Sequence, residues 1–280
     1  MSAKTAWPDD PHSAARLAEL ESFALELNAA AARITLPLFR AELGVENKAE
    51  TGKAFDPVTA ADKGAEAEIR RLIKARFPDH GVIGEEYGED RPEAEFVWIL
   101  DPVDGTRAFV AGLPLWAHLI GLRFRGEPLL GLIGQPYLDE VYVGSPTGSR
   151  LIDRQGERAL KVRPCPRLTQ MTLASTDPYG YFDGAELGAW NQVRAAARIV
   201  RLGGDSYIFA LLAAGRIDLV IESGLKLWDI DPIVPVIENA GGLVTDWRGQ
   251  RLGRHGGQVV AAGDQACLDE ALVALKRSAR

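Results

Sequence analysis

The sequence predicts an α+β unit followed by an α/β unit, packed closely with no long linker between them. Two stretches near the start repeat apolar residues at helical spacing, and a middle stretch breaks into short apolar runs separated by turn residues. Beyond about residue 150, strand-like runs alternate with helical ones.

Residues 11–43 carry Leu17, Leu20, Phe23, Leu27 and Ile34 on or near one stripe, which predicts one long helix or two broken near Pro37. A second helix is expected over 60–77, with Ile69, Leu72, Ile73 and Phe77 inward and Pro78-Asp79 as its stop. Residues 96–100 are continuously apolar, as a buried strand is, and run straight into Asp101. From 116 to 143 the apolar runs are punctuated at Arg125-Gly126-Glu127-Pro128 and at Tyr137-Leu138-Asp139-Glu140, the spacing of three antiparallel strands. Further on, 171–175, 219–222 and 259–262 read as strands and 187–198, 206–214 and 230–239 as helices, with one more helix at the end. The expected division is an N-terminal α+β lobe over 1–150 and a C-terminal α/β lobe over 151–280.

The chain has 32 Lys and Arg against 39 Asp and Glu, a formal charge of -7. A phosphate backbone demands concentrated positive charge, so nucleic acid is not the expected partner. Two cysteines, Cys165 and Cys267, are too few for a disulfide framework or a four-thiolate metal site, and a reducing compartment suits them. No signal-peptide pattern or membrane-spanning apolar run is present, so no membrane partner and a cytoplasmic location are expected. His12, His80, His118 and His255 are scattered without ligand spacing and are read as structural or surface residues.

Chemistry concentrates in Asp101-Pro102-Val103-Asp104-Gly105-Thr106. Two carboxylates three positions apart on a tight turn can share one hard cation and reach a second, while the kink at Pro102 frees the Val103 carbonyl as a further oxygen ligand. If a helix starts at Gly105-Thr106, its first N–H groups face a phosphate oxygen. An ordinary alternative is an Asx-type turn in which both aspartates bond only to backbone. Gly84-Glu85-Glu86 is either a third acidic site or a solvated loop with Glu89 and Asp90. Asp56-Pro57-Val58-Thr59-Ala60-Ala61-Asp62 and Trp228-Asp229 can each be explained as helix caps.

Taken together, Asp62, Gly84-Glu85, the 101–106 motif, Trp228-Asp229 and Gly241-Gly242 resemble the inositol monophosphatase family in order and spacing, over about residues 54–249. The resemblance implies a layered αβαβα sandwich of the inositol monophosphatase and fructose-1,6-bisphosphatase type. It also implies a magnesium-dependent phosphomonoesterase with two to three Mg2+ per site, for which Mn2+ can substitute. By resemblance, Glu85, Asp101 and the Val103 carbonyl hold the first ion and Asp101, Asp104 and Asp229 the second, with a third near Glu85 and Asp62. By the same resemblance Thr106 and Asp62 orient the attacking water and help deprotonate it, with Thr59 nearby as support, and Glu85 is counted with Asp62 and Thr106 among the catalytic residues. Gly105 and Thr106 bind phosphate. The family often has a lysine upstream of the Asp62 motif, but Lys48 and Lys53 do not align with it and receive no role. A homodimer is expected on the same ground.

After Thr106 the chain reads Arg107-Ala108-Phe109, where typical inositol phosphatases have Thr-Asn-Phe. This stretch is similar to the histidinol-phosphate phosphatase branch, as are Gly134-Gln135-Pro136, residues 201–207 and residues 218–226. Histidinol phosphate carries an ammonium and an imidazole, so Asp205 and Glu222 are candidate substrate ligands, with Arg107 as a third. Otherwise Asp205 caps the following helix and Glu222 pairs with Lys226 or Arg201. Two competing functions are an inositol-1-monophosphatase or broad-specificity small-molecule phosphatase, and a regulatory or RNA-associated binding protein with incidental catalysis.

Overall fold

The computed structural model describes residues 13–41, 45–47, 57–253 and 255–280, with backbone only at 45–47 and 57–59. His12, Lys48, Lys53 and Asp56 lie outside the described residues, and so does the side chain of Thr59.

Helix α1 (Ala14–Leu38) starts where the Ser13 hydroxyl accepts the Arg16 N–H at 3.3 Å, and it continues unbroken through Pro37 in its last turn. Strands β1 (Val45–Asn47) and β2 (Pro57–Thr59) pair antiparallel and lead into α2 (Ala60–Arg76). Then come β3 (Gly81–Gly84), β4 (Gly88–Asp90), β5 (Phe96–Asp104), the one-turn helix α3 (Thr106–Val110) and the meander β6 (Ala117–Phe124), β7 (Glu127–Gln135), β8 (Glu140–Ser145), β9 (Gly148–Asp153) and β10 (Gly156–Ala159). These strands form one sheet in the order β10-β9-β8-β7-β6-β5-β3-β4, antiparallel except for the β3/β5 pair.

The rest of the chain is β11 (Thr172–Ser175), α4 (Pro178–Tyr181), α5 (Gly184–Ala196), β12 (Ile199–Leu202), α6 (Tyr207–Ala213), β13 (Leu219–Leu225), α7 (Leu227–Ile230), α8 (Ile233–Glu238), β14 (Leu243–Thr245), β15 (Gly257–Ala262) and α9 (Gln265–Leu275). Its sheet has the order β12-β11-β13-β15-β14, in which β11 runs parallel to both neighbours and β15 antiparallel to both of its own. The first sheet thus ends at Ala159 and the second begins at Thr172.

Side chains alternate along each strand, and here both faces are apolar. Ile69, Ile73, Leu20, Phe23 and Leu27 of α1 and α2 cover one face of the first sheet against Trp98, Ile120 and Leu130. Phe209 of α6 and Ile233 and Val236 of α8 fill the space between the sheets, against Leu119 and Ile133 on one side and Val220 and Ala261 on the other. Trp190 of α5 and Leu268 of α9 close the outer face of the second sheet over Leu173 and Ile221. The result is the five-layer αβαβα sandwich. Among the described residues no helix is long and apolar enough to cross a membrane.

One expected element is corrected. Residues 230–239 are not one helix, because the chain turns at Asp231-Pro232 and divides into α7 and α8. A proline cannot donate to the preceding turn, and Asp231 is held instead by a buried ion pair with Arg123 of β6. The joint lies flat on the first sheet because Gly121, Gly131 and Gly144 are cross-strand neighbours there. A Cβ on Gly131 or Gly144 would overlap the backbone of the Pro232–Val236 segment.

Candidate active site

The site forms where β5 ends. In a regular strand Asp101 and Asp104 would project to opposite faces, since side chains alternate with period two. The register against β6 slips between them: Asp101 faces Leu119 but Asp104 faces Ala117, so three steps on β5 match two on β6. That bulge brings both carboxylates to the same side. The Asx turn foreseen as an alternative is also present, with the Val103 N–H donating to Asp101 Oδ1 at 3.1 Å. One carboxylate oxygen serves the turn, and the group still reaches its neighbours. Gly105 takes a left-handed φ of 83° and starts α3. The Thr106 hydroxyl donates back to the Val103 carbonyl at 3.1 Å.

Two other elements end at the same place. Strand β3 runs parallel to β5 with Gly84 opposite Leu100, so Glu85 emerges beside Asp101, and its N–H donates to the Leu100 carbonyl at 3.2 Å. Helix α7 brings Asp229, whose Oδ2 accepts the Lys226 N–H at 2.7 Å. Capping thus accounts for one oxygen of Asp229. Ligand atoms of Asp101, Asp104 and Asp229 lie within 4.8 Å of one another, although Asp229 is far away in sequence.

The electrostatics follow from burial and like charge. Asp101 is held well above the usual carboxylate range, first by burial and then by the charges of Glu85, Asp104, Asp62 and Asp229. Asp229 is raised by burial and by Asp104, against the Lys226 N–H bond that lowers it. Asp104 is raised by burial too, although the Ser206 N–H donates to its Oδ2 at 2.7 Å. Asp62, only 2% exposed in the first turn of α2, is one of the charges acting on Asp101. Five carboxylates in so little water demand a cation. Three converging carboxylates with no nitrogen or sulfur suit a hard divalent ion rather than zinc, so the residues present fit the metal that the motif implies.

The described histidines, His80, His118 and His255, stay outside this chemistry. His118 is fully buried between Thr35 Oγ1 at 3.0 Å and Asn28 Oδ1 at 2.8 Å, and burial lowers its pKa to about 3. His80 stacks between Phe77 and Phe96, accepts the Trp98 indole N–H, and is lowered to about 4, chiefly by burial. His255 is exposed.

A second acidic group adjoins the first. Asp205 does not cap α6, which starts at Ser206 with no side-chain cap. Its backbone is left-handed at φ 44°, and its Oδ2 comes to 3.0 Å from where a Gly105 Cβ would stand. Burial, Asp104 and Glu222 raise its pKa well above the ordinary value, and Arg107 opposes them. In place of the alternative ion pair with Lys226 or Arg201, Glu222 accepts, among the described residues, the Thr176 N–H at 2.6 Å and the Ser175 hydroxyl at 3.4 Å. Burial pushes Glu222 up to about 7. Arg107 turns across the same chain, 4.8 Å above the Tyr181 ring and 3.9 Å from Asp177.

Sequence reasoning missed Ser206 and Glu66. Glu66 is fully buried on α2, where the i, i+4 spacing from Asp62 puts a second carboxylate on the inward face. A charged residue on an otherwise apolar stripe was the available signal.

A sequence model of the inositol monophosphatase family matches residues 16–279. The chain belongs to the inositol monophosphatase family. It is 40% identical over 271 residues to a protein of Arabidopsis thaliana named bifunctional phosphatase IMPL2, chloroplastic, covering 92% of this chain and 76% of that one. It is 34% identical over 242 residues to a histidinol-phosphatase of Chlorobaculum parvum, covering 86% of this chain and 91% of that one. Among solved structures, an inositol monophosphatase from Zymomonas mobilis matches with a TM-score of 0.82 at 37% identity, over 92% of this chain and 98% of that one. As a member of the inositol monophosphatase family the chain is a phosphatase, and its acidic cluster can bind metal.

Proposed function

We propose that this chain is a magnesium-dependent histidinol-phosphate phosphatase, converting L-histidinol phosphate and water to L-histidinol and phosphate. The observation that carries the phosphatase mechanism is the convergence of Asp101, Asp104 and Asp229 within 4.8 Å at the buried end of β5. In this reading Glu85, Asp101 and the Val103 carbonyl hold one Mg2+, Asp101, Asp104 and Asp229 a second, and Asp62 with Glu85 a third. Bound divalent cations supply positive charge that offsets the phosphoryl oxygens and makes a nearby water more acidic.

The protein's own groups do the rest. Because the Thr106 hydroxyl donates to the Val103 carbonyl, its oxygen remains an acceptor that can hold one O–H of the attacking water. Asp62 takes the proton as that water attacks phosphorus in line and the ester P–O bond breaks, and the departing alkoxide takes a proton from solvent water to leave as the alcohol. Gly105 and Thr106 line the phosphate position, and no nucleophilic side chain is required.

Substrate choice rests on the second acidic group. Asp205, half-buried, and Glu222, buried, place two acidic groups next to Asp104 that an ammonium or an imidazolium would hold ionised, which a neutral polyol would not do. The relative named histidinol-phosphatase, matched over nearly its whole length, supports the same choice. A homodimer and a cytoplasmic, nucleic-acid-free role belong to this reading, the last supported by the net charge of -7.

The test compares histidinol phosphate, inositol 1-phosphate and 3'-phosphoadenosine 5'-phosphate in the presence of magnesium, for the wild type and for Asp205→Asn and Glu222→Gln. Histidinol phosphate should have the highest kcat/KM. Each substitution should raise its KM by about tenfold or more while sparing a small generic ester. Equal losses on both would remove the substrate assignment, and preference for inositol 1-phosphate would make the chain an inositol monophosphatase. Turnover that ignores magnesium would favour a binding protein with incidental catalysis.

A further inference from the structure

The turn that carries Glu85 is held by a buried carboxylate with no part in the chemistry above. Glu66 Oε2 accepts the Glu86 N–H at 2.8 Å, and Oε1 accepts the Tyr87 N–H at 3.1 Å. Oε1 also accepts the Arg70 Nε–H at 2.7 Å, and Arg70 donates its other arm to the Gly88 carbonyl. From the opposite side, the Glu85 N–H is tied to Leu100, the residue before Asp101. Each residue from Glu85 to Gly88 therefore has a backbone group fixed by β5, by Glu66 or by Arg70.

The preceding residue completes the arrangement. A Cβ on Gly84 would overlap the Glu66 carboxylate, so glycine there allows Glu66 to reach up beneath the turn. A helical Glu–Arg pair four residues apart forms readily on a helix surface and does not require a fully buried carboxylate. Burying one is costly unless its lone pairs are filled, and two of the donors filling this one come from the turn.

We infer that Glu66 is a positioning residue that sets the Glu85–Gly88 turn so that the Glu85 carboxylate faces Asp101, and thereby sets the affinity of the site for a divalent cation. This rests on the reading of Glu85 as a metal ligand. The charge of Glu85 acts on Asp101 more than that of any other residue, as the proximity requires. Backbone partners of this kind tune a metal site without touching the metal.

The test is Glu66→Gln, which keeps the volume but has one carbonyl oxygen. Whichever way the amide turns, its NH2 opposes one of the donors that Glu66 accepts. Calorimetric titration of magnesium chloride into the substrate-free protein should show the apparent Kd raised by about tenfold or more. The magnesium concentration for half-maximal hydrolysis should rise in parallel, with kcat at saturating magnesium little changed. Hydrogen exchange at the Glu86 and Tyr87 amides should quicken. Gly84→Ala disturbs the same carboxylate from the turn side and should shift the titration in the same direction, so it carries the test if Glu66→Gln does not fold. Glu68→Gln removes an exposed pair with Arg71 on the same helix, without touching the turn, and should leave the titration at its wild-type position. If the Glu66 and Gly84 variants lose thermal stability but titrate like the wild type, Glu66 is merely structural and the inference is overturned. If the wild type itself does not bind magnesium, the metal reading beneath it fails instead.

Discussion

Asp101 is buried with carboxylates on every side, and its charge is tolerable only when a cation shares the site. Asp101→Asn and Asp104→Asn each remove one ligand oxygen and one negative charge without changing volume. Both variants should lose turnover of every phosphate ester while circular dichroism shows a retained fold. Full activity in either would remove the metal mechanism. Glu222 provides a pH signature. Its folded pKa of about 7 lies above the ordinary value of 4.5 that it has in the unfolded chain, so the folded state holds its proton more tightly than the unfolded state does. The stability it contributes is complete below 4.5 and is lost as pH rises through about 7. In chelator, the unfolding free energy of the wild type relative to Glu222→Gln should therefore fall by roughly 3 kcal/mol from pH 4.5 to about pH 8. A difference that stays flat across that range would contradict the burial of this group. Asp205 shows why residue type alone misleads: an aspartate before a helix reads as a cap, yet its left-handed backbone turns the side chain toward Gly105.

The joint between α7 and α8 places Asp229. Its three devices are the break at Pro232, the glycine bed on β6, β7 and β8, and the Arg123–Asp231 pair, both of whose side chains are nearly inaccessible. Arg123→Met would take the guanidinium away from a nearly inaccessible Asp231 carboxylate, and breaking a buried pair in this way costs about 3–5 kcal/mol. Urea denaturation should show that loss, and adding Asp231→Leu should recover much of it, because an apolar pair at these two positions no longer buries the carboxylate. A loss below about 1 kcal/mol for the single variant would show that the joint is held by packing alone. Sequence periodicity read this stretch as one helix because Ile230, Ile233 and Ile237 stay in helical phase across the proline. Long periodic elements such as α1 and α2 were legible, whereas β3, β4, β12 and β14 are three or four residues long and show no period of their own.

Across the whole molecule, the alternation of helix-like and strand-like texture was enough to anticipate two sheets with helices, since a run of apolar residues is itself a statement about burial. The 101–106 motif, Asp62, Glu85 and Asp229 were all visible as acidic residues at element ends. Their meeting was not visible. It depends on the parallel pairing of β3 with β5, on a bulge that turns Asp101 and Asp104 to one side, and on a joint that carries Asp229 back against β5. Glu66 and Ser206 were hidden for the same reason, because each acts on a backbone group or carboxylate remote in sequence. Residue pattern reports which faces are buried, a local property of the chain. Which side chains then share a cavity depends on register and layer stacking, and those arise only when the five layers close on one another.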